Sequence, residues 1–394
     1  MAVRSDDRAA AHGAGRLDRV LAASRLIVPD VLARTVRIAE VAAPTDDEGA
    51  RSSFVRDLMM SLPVTSVGAD AMGNVLATIK GRRSGPPLLI AAHLDTVFPQ
   101  STPLRFEVGP DRIAGPGVGD NCLGIACTLA IADVLHGLGI QPAVDILLTG
   151  NVGEEGLGNL RGIRRVMDDH PEIGAVVAVE GHNLGRVTHV AVGSRRLRVR
   201  VLGPGGHSWG DHGNANAIQG AAEIIHELSR ISLPSSPKTT INVGTIRGGI
   251  SVNTIPPDAT FDVDLRSVEE FALKRLADRT ERIIRTPRTG LRVELEVIGD
   301  RPAGYVAPDS FIVRAAVQVL DALGVSPAGD ASSTDANIPI ARHVPAVCIG
   351  LTTGGFVHRE DEYIDTAPVA VGLTQLIELS LTLADALADG TLTC

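Results

Sequence analysis

The chain has 394 residues, enough for two domains and a sizeable core. With 44% hydrophobic residues and a net charge of −9, it has nothing to draw it to nucleic acid or anionic lipid. Four cysteines (Cys122, Cys127, Cys348, Cys394) show no paired spacing, so free thiols in a reducing, cytoplasmic compartment are expected rather than a disulfide framework.

Residues 1–25 mix Arg, Ala, Asp and Gly without an apolar stretch, and read as a disordered head, frayed up to about Asp18. No apolar run approaches the roughly 20 residues that a bilayer span needs, so no membrane partner is expected. Asp30 is placed to cap a helix running to about Ala42, which Pro44 ends. Thr45-Asp-Asp-Glu48 is a capping box for the next helix, to about Leu62. Strands follow at about Asn74–Lys80 and Leu88–Ala92, the second apolar throughout as in a strand buried on both faces. A glycine-rich loop leads into an apolar helix at about Leu123–Leu138. The strand Val144–Thr149, a helix to about Asp169 and the strand Ala175–Val179, running into Glu180, complete this half. Short apolar strands alternating with helices predict an α/β fold with a doubly wound, mostly parallel sheet.

Near Val187 the pattern changes. Segments 196–202, 260–265 and 292–297 alternate polar and apolar residues with period two, the mark of an antiparallel sheet with one solvated face. Helical stretches at about 215–229 and 267–284 are available to cover the other face. A smaller α+β domain is therefore expected at about 190–300, inserted between the halves 26–189 and 301–394 of the larger one. The wound pattern then resumes with a helix at Phe311–Leu323, a buried strand at Ala346–Leu351 and a closing helix at Pro368–Ala388.

The predicted strand ends of the larger domain carry chemistry. His93 and Asp95 follow the strand Leu88–Ala92, and residues two apart in an extended segment point the same way. Glu154 and Glu155 follow another strand, Glu180 a third, and His358 lies in a loop after a fourth. Asp120 sits in the glycine-rich loop Gly115-Pro-Gly-Val-Gly-Asp-Asn-Cys-Leu-Gly124 just before a helix. In an open α/β sheet such loops converge at the carboxyl edge of the strands, where ligands bind. Two imidazoles and several carboxylates without a thiolate suit Zn²⁺, Co²⁺ or Mn²⁺ in an open hydrolytic site. Two such ions, roughly 3.5–4 Å apart, need a bridging carboxylate. Adjacent Glu154 and Glu155 diverge, so one can ligate while the other acts as general base. Taken singly, each residue has a plainer reading: a solvated Glu pair, an Asp favoured by a helix N-terminus, a surface His among charges.

These motifs in this order resemble the dinuclear-zinc exopeptidase and deacylase family of peptidase T, carboxypeptidase G, acetylornithine deacetylase and succinyl-diaminopimelate desuccinylase. The resemblance is carried by His93-Leu-Asp-Thr-Val97, Gly119-Asp-Asn-Cys-Leu-Gly124, Gly153-Glu-Glu-Gly156, Val179-Glu-Gly181 and Gly354-Gly-Phe-Val-His358. It implies two divalent ions, zinc first, with His93, Asp120 and Glu180 on one and Asp120, Glu155 and His358 on the other. Asp95 would orient His93 and Glu154 would be the base. The inserted domain would be a lid that also forms a homodimer. There Gly203-Pro-Gly-Gly-His-Ser208 resembles the segment whose His, here His207, stabilises the oxyanion in the partner chain's site. Asn253 and Arg266 fall in stretches that resemble substrate-contacting ones, and Ser333-Thr-Asp-Ala-Asn337 resembles a loop lining the cleft. The implied activity is cleavage of a peptide or N-acyl amide bond in a small substrate, as a di- or tripeptide exopeptidase or an N-acyl amino acid deacylase. Glu180 matches the carboxypeptidase and deacylase branches, whereas peptidase T-like members tend to carry Asp there. The Gly153–Gly158 and Ser332–Asn337 stretches look closer to peptidase T.

A rival reading takes Gly206-His-Ser-Trp-Gly210 as a nucleophile elbow, with Ser208 the nucleophile and Asp335 and His358 downstream. The alternating strand before it and the intervening Pro204 and glycines argue against a serine hydrolase. A non-catalytic binding protein on this fold is a further alternative, but it would normally lack a ligand or the base, and every position is filled.

Overall fold

The structure, a computed structural model, describes the backbone of residues 4–392 and the side chains of 15–392. The chain divides into two compact units: residues up to His189 together with those from Val306 on, and Val190–Tyr305.

The larger unit is built on a sheet whose strands lie in the order Ser66–Ala69, Val75–Ile79, Ile146–Asn151, Leu88–His93, Ala175–Glu180, Ala346–Gly350 and Arg186–Ala191. The middle four run parallel, and the strands flanking them are antiparallel. The doubly wound reading therefore holds for the centre of the sheet, while both margins turn antiparallel. Leu88–His93 is buried at every position, as a strand covered on both faces requires. The helices Gly124–Gly137 and Val369–Ala388 are almost wholly buried. The second of these, and a stretch Val118–Gly137 containing the first, are long and apolar enough to cross a membrane by length and composition; 83% and 89% of these windows lie inside the protein, as core helices do.

Two expectations need correction here. The head expected to be disordered is, from Arg4 on, the start of one helix, Arg4–Ala39; residues 1–3 lie outside the described ones, as does Cys394. Its many alanines favour helix, and Val20, Val31 and Ile38 are fully buried in the core. Arg16 donates to Glu378 at 2.9 Å and Arg34 to Asp133 at 2.9 Å, so both halves are tied down. Asp30 accordingly starts nothing: the helix runs through Pro29, its packed face outweighing the lost backbone bond.

The capping box is the second correction. A helix does run Gly49–Met60, but its start carries no side-chain cap. Thr45 donates its hydroxyl to Asp95 instead, and Glu48 accepts the Gly153 amide at 3.1 Å. Both side chains are thus recruited by the strand-end loops of the sheet.

The smaller unit has a four-stranded antiparallel sheet, in the order Thr239–Gly248, Asp258–Ser267, Gly193–Leu202, Arg292–Arg301. Helices Ala217–Ser229 and Glu270–Ile284 cover one face around Leu197, Val199, Phe261 and Leu265. The edge strand Thr239–Gly248 has no counterpart among the predicted strands. Most of its residues are exposed or half-exposed and two are glycines, so it shows only a weak inward alternation.

Candidate metal centre

Three parallel strands end side by side. Register pairs His93 with Asn151 and Ala91 with Ala178, which places His93 near Glu180 at the carboxyl edge of the sheet. The loop Val118–Leu123, between the glycine-rich turn and the buried helix, carries Asp120 to the same edge. One Asp120 oxygen lies 3.0 Å from His93 Nε2, and the other lies 3.0 Å from His358 Nε2. Glu180 is 3.6 Å from His93 Nε2, and Glu155 is 3.2 Å from His358 Nε2. Donor atoms of His93, Asp120 and Glu180 lie within 4.8 Å of one another, as do those of Asp120, Glu155 and His358. A third set of the same compactness joins His93, Glu154 and Glu155, so Glu154 stands beside both. The five candidate ligands and the candidate base Glu154 are thus brought together. His358 alone is substantially exposed, and it sits at φ 66, in the left-handed region that a non-glycine residue seldom adopts.

The electrostatics of the metal-free site show how crowded it is. Burial pushes the Glu180 carboxyl up to about 7, with the charges of Asp120 and Asp335 adding to it. Burial would also raise Asp120, but His358 and His93 outweigh it and hold that carboxyl far below the usual range. Asp120 and Glu155 together push His358 up to about 10. Burial opposes protonation of His93, yet its carboxylate neighbours Asp120, Asp95 and Glu180 hold it well above its ordinary value. Without a metal, protons do the work of cations here.

Asp95 behaves differently from the expectation. The ring of His93 faces the main-chain oxygen of Asp95, at 3.0 Å from Nδ1, while the carboxylate stands off at 3.5 Å. That carboxylate instead accepts the amides of Glu154 at 2.9 Å and Glu155 at 2.8 Å, and the Thr45 hydroxyl at 2.9 Å. The carbonyl orients the imidazole, and the side chain fixes the Glu154–Glu155 turn.

Several braces had no voice in the sequence reading. Glu48 accepts the amides of Asp46 and Gly153 and the guanidinium of Arg161, beneath the same turn. Asn151 donates to Asp335 at 2.7 Å. Asn121 donates to the Val179 carbonyl at 2.7 Å, and Glu362, with His182, lies under the Asp120 loop. Glu362 follows Arg359, Glu360 and Asp361, which read as one exposed charge run; the only available signal is the Tyr363-Ile364 that follows, with Ile364 buried.

The lid candidates belong to the smaller unit. His207 lies on a two-residue strand paired with Thr254–Ile255, and its Nδ1 accepts the amides of Trp209 and Gly210, both at 3.2 Å. A neutral ring with Nδ1 accepting carries its hydrogen on Nε2. Asn253 accepts the Ser251 hydroxyl at 2.7 Å through its side chain and the Ser208 amide through its carbonyl. Arg266 donates through Nε to Asp264 at 2.7 Å. The elbow reading of Ser208 fails on context: residues 208–213 form turns, and the next helix begins only at Ala217, where an elbow passes directly from strand to helix.

Residues 89–382 match the profile of peptidase family M20/M25/M40. The chain belongs to this family. M20-family relatives of known sequence include carboxypeptidase G2 of Pseudomonas sp. (strain RS-16), 24% identical over 270 residues, with 64% of each protein covered. The chain spans 54–64% of the length of such curated carboxypeptidases. Among solved structures, aminopeptidase PepT of Bacillus cereus superposes with a TM-score of 0.75 at 19% identity, covering 91% of this chain and 99% of that one. A dinuclear metal-binding M20 peptidase of Bacillus subtilis gives 0.67 at 15%, covering 92% and 99%. At these identities the structural likeness speaks for the M20 fold alone.

Proposed function

We propose that this chain is a two-metal hydrolase cleaving a peptide or N-acyl amide bond in a small substrate, as a di- or tripeptide exopeptidase or an N-acyl amino acid deacylase. The observation that carries this reading is Asp120, whose two oxygens each face a different imidazole at 3.0 Å. One carboxylate shared by two triads of oxygen and nitrogen donors fits a pair of borderline divalent ions. His93, Asp120 and Glu180 would hold one ion, and Asp120, Glu155 and His358 the other; zinc is the first choice, cobalt or manganese the alternatives. Bound there, the pair would polarise the scissile carbonyl and lower the pKa of water.

The chain's own residues do the rest. Glu154 is buried beside both triads, held by the backbone bond from its amide to Asp95, and is placed to take a proton from water and return it to the leaving amine. His207, with hydrogen on Nε2, is the form that donates to a developing oxyanion. With Nε of Arg266 engaged by Asp264, its terminal nitrogens are the ones to grip a substrate carboxylate, and Asn253 is a separate candidate contact. Glu180 and the likeness to carboxypeptidase G2 favour a substrate with such a free carboxylate. Dimerisation through the smaller unit belongs to the same proposal. So does a cytoplasmic location, which suits the three buried free thiols among the described residues.

The test is activity of metal-loaded protein on dipeptides, tripeptides and N-acyl amino acids, with metal content measured alongside. A chelator should abolish turnover and a serine-directed phosphonylating reagent should not. Glu154→Gln should retain metal yet lose roughly 10²–10⁴-fold in kcat. A wild type that binds metal but turns over none of these substrates would favour a binding role, and inactivation by the serine reagent would overturn the metal reading.

A further inference from the structure

We propose that Glu362 is a latch that sets the position of Asp120 and ties together three of the loops that carry the candidate ligands. This rests on the reading of those residues as metal ligands. Glu362 is fully buried, although Arg359, Glu360 and Asp361 before it are exposed. Its Oε2 accepts the Gly117 amide at 2.9 Å. Its Oε1 accepts the amides of Gly119 at 3.0 Å and Asp120 at 2.8 Å, and lies 2.7 Å from His182 Nε2. Its main-chain oxygen accepts the Gly115 amide at 2.8 Å.

Three amides converging on one carboxylate form a nest of the kind that elsewhere holds an anionic ligand. Here the occupant is a side chain of the same protein. The loop needs such an occupant. Gly115, Gly117 and Gly119 give it no side chains with which to pack, and Gly117 sits at φ 70; two local backbone bonds, Val118 N–H to Gly115 O and Cys122 N–H to Gly117 O, both at 3.3 Å, are too weak to fix its shape alone. An outside acceptor must do so. His182, two residues after Glu180, carries the tie into the Glu180 loop, and His358 is joined to Glu362 by three intervening residues whose turn is closed by the Glu362 amide on the Arg359 carbonyl at 3.0 Å. Asp120, Glu180 and His358 are thereby referred to one buried carboxylate that is outside both ligand triads. Glu362 is a positioning residue, acting through the backbone of Asp120 rather than on substrate.

The experiment compares wild type with Glu362→Gln, which keeps the shape but leaves one acceptor oxygen, and Glu362→Asp, which keeps the charge but withdraws it by one methylene. Amide hydrogen exchange of the metal-free proteins is read at residues 117–120 and, as internal control, in the strand Leu88–His93. The latch predicts exchange at least about tenfold faster at 117–120 with the strand little changed. Competition against a chromophoric chelator should show divalent-metal affinity weakened by about 10- to 100-fold. Glu362→Asp should fall between the wild type and Glu362→Gln. Exchange at 117–120 that moves no more than in the strand, including a general loss of protection in a poorly folded variant, overturns the latch, as does unchanged metal affinity in both variants. A wild type that binds no divalent metal, with 117–120 still loosened in the variants, would remove the metal reading and leave the tie between the loops standing.

Discussion

Asp95→Asn tests whether the Asp95 carboxylate holds the Glu154–Glu155 turn. The side chain is fully buried and receives three bonds: Glu154 N–H on Oδ1, and Glu155 N–H and the Thr45 hydroxyl on Oδ2. Asparagine has the same shape but one acceptor oxygen, so its NH₂ must face one of the two amide donors whichever way it is turned. One charge-assisted bond is lost outright and another becomes neutral. With bonds to charged groups contributing about 1.5–3 kcal/mol and neutral ones about 1, the expected loss is roughly 2–5 kcal/mol. Urea unfolding of metal-free protein at pH 6 measures it.

The pH dependence supplies a second reading of the same variant. Burial works against the charge on Asp95, but the His93 ring close by and the amides of Glu155 and Glu154 prevail and lower its pKa. A lowered folded-state pKa means stability that is full above the ordinary carboxylate value of about 3.9 and is lost as pH falls through the folded value beneath it. The gap between wild type and Asp95→Asn should therefore be widest near neutrality and narrow below about pH 3.9. Because the His93 ring keeps its main-chain acceptor, the His93 triad should stay formed, while kcat falls with the displaced base by up to about 10²-fold. A stability change under about 0.5 kcal/mol at pH 6, within the range of ordinary surface substitutions, would refute the assignment.

Metal binding should release protons. Asp120 and Glu155 push His358 up to about 10, so that ring is protonated at neutral pH when no cation is present, and the carboxylates around His93 push it the same way. Affinity should rise as pH rises from 6 to 9, and calorimetry in buffers of different ionisation enthalpy should show about one to two protons displaced; a pH-independent affinity would contradict this. In Gly119→Ala the new methyl would run into the His182 imidazole, and overpacking of this kind costs about 1–3 kcal/mol. Gly137→Ala, with open space at the methyl, should be neutral or slightly stabilising in the same thermal melts. Burial pushes the Cys127 thiol up to about 12, so iodoacetamide at pH 8 should leave that cysteine unmodified in folded protein and label it in urea, as read by peptide mass.

What the sequence discloses follows from how locally each feature is encoded. The strand Leu88–His93 is legible because burial on both faces demands an unbroken apolar run, and the polar residue that ends it is legible for the same reason. Glu180 stands out after Ala175–Val179 in the same way. The edge strand Thr239–Gly248 is far less legible, since mostly exposed positions place little demand on residue type. The first helix fails differently: its alanines satisfy helix and disorder alike, and only packing against the core decides between them.

The braces around the site were hidden for a further reason. A metal ligand must be an imidazole or carboxylate at a particular strand end, so chemistry constrains its type and fold constrains its place. A brace needs only an acceptor within reach of a free amide, and the chain can supply one from any distance. Glu48 meets Gly153 across 105 positions and Glu362 meets Asp120 across 242. Local rules even mislead at such places: Thr45 and Glu48 spell a capping box, yet both side chains are drawn off to the buried amides and carboxylate of the site, where an unmet polar group costs more than a frayed helix start. Residues that break a local rule in favour of a distant backbone amide are therefore where positioning of the ligand loops is to be sought.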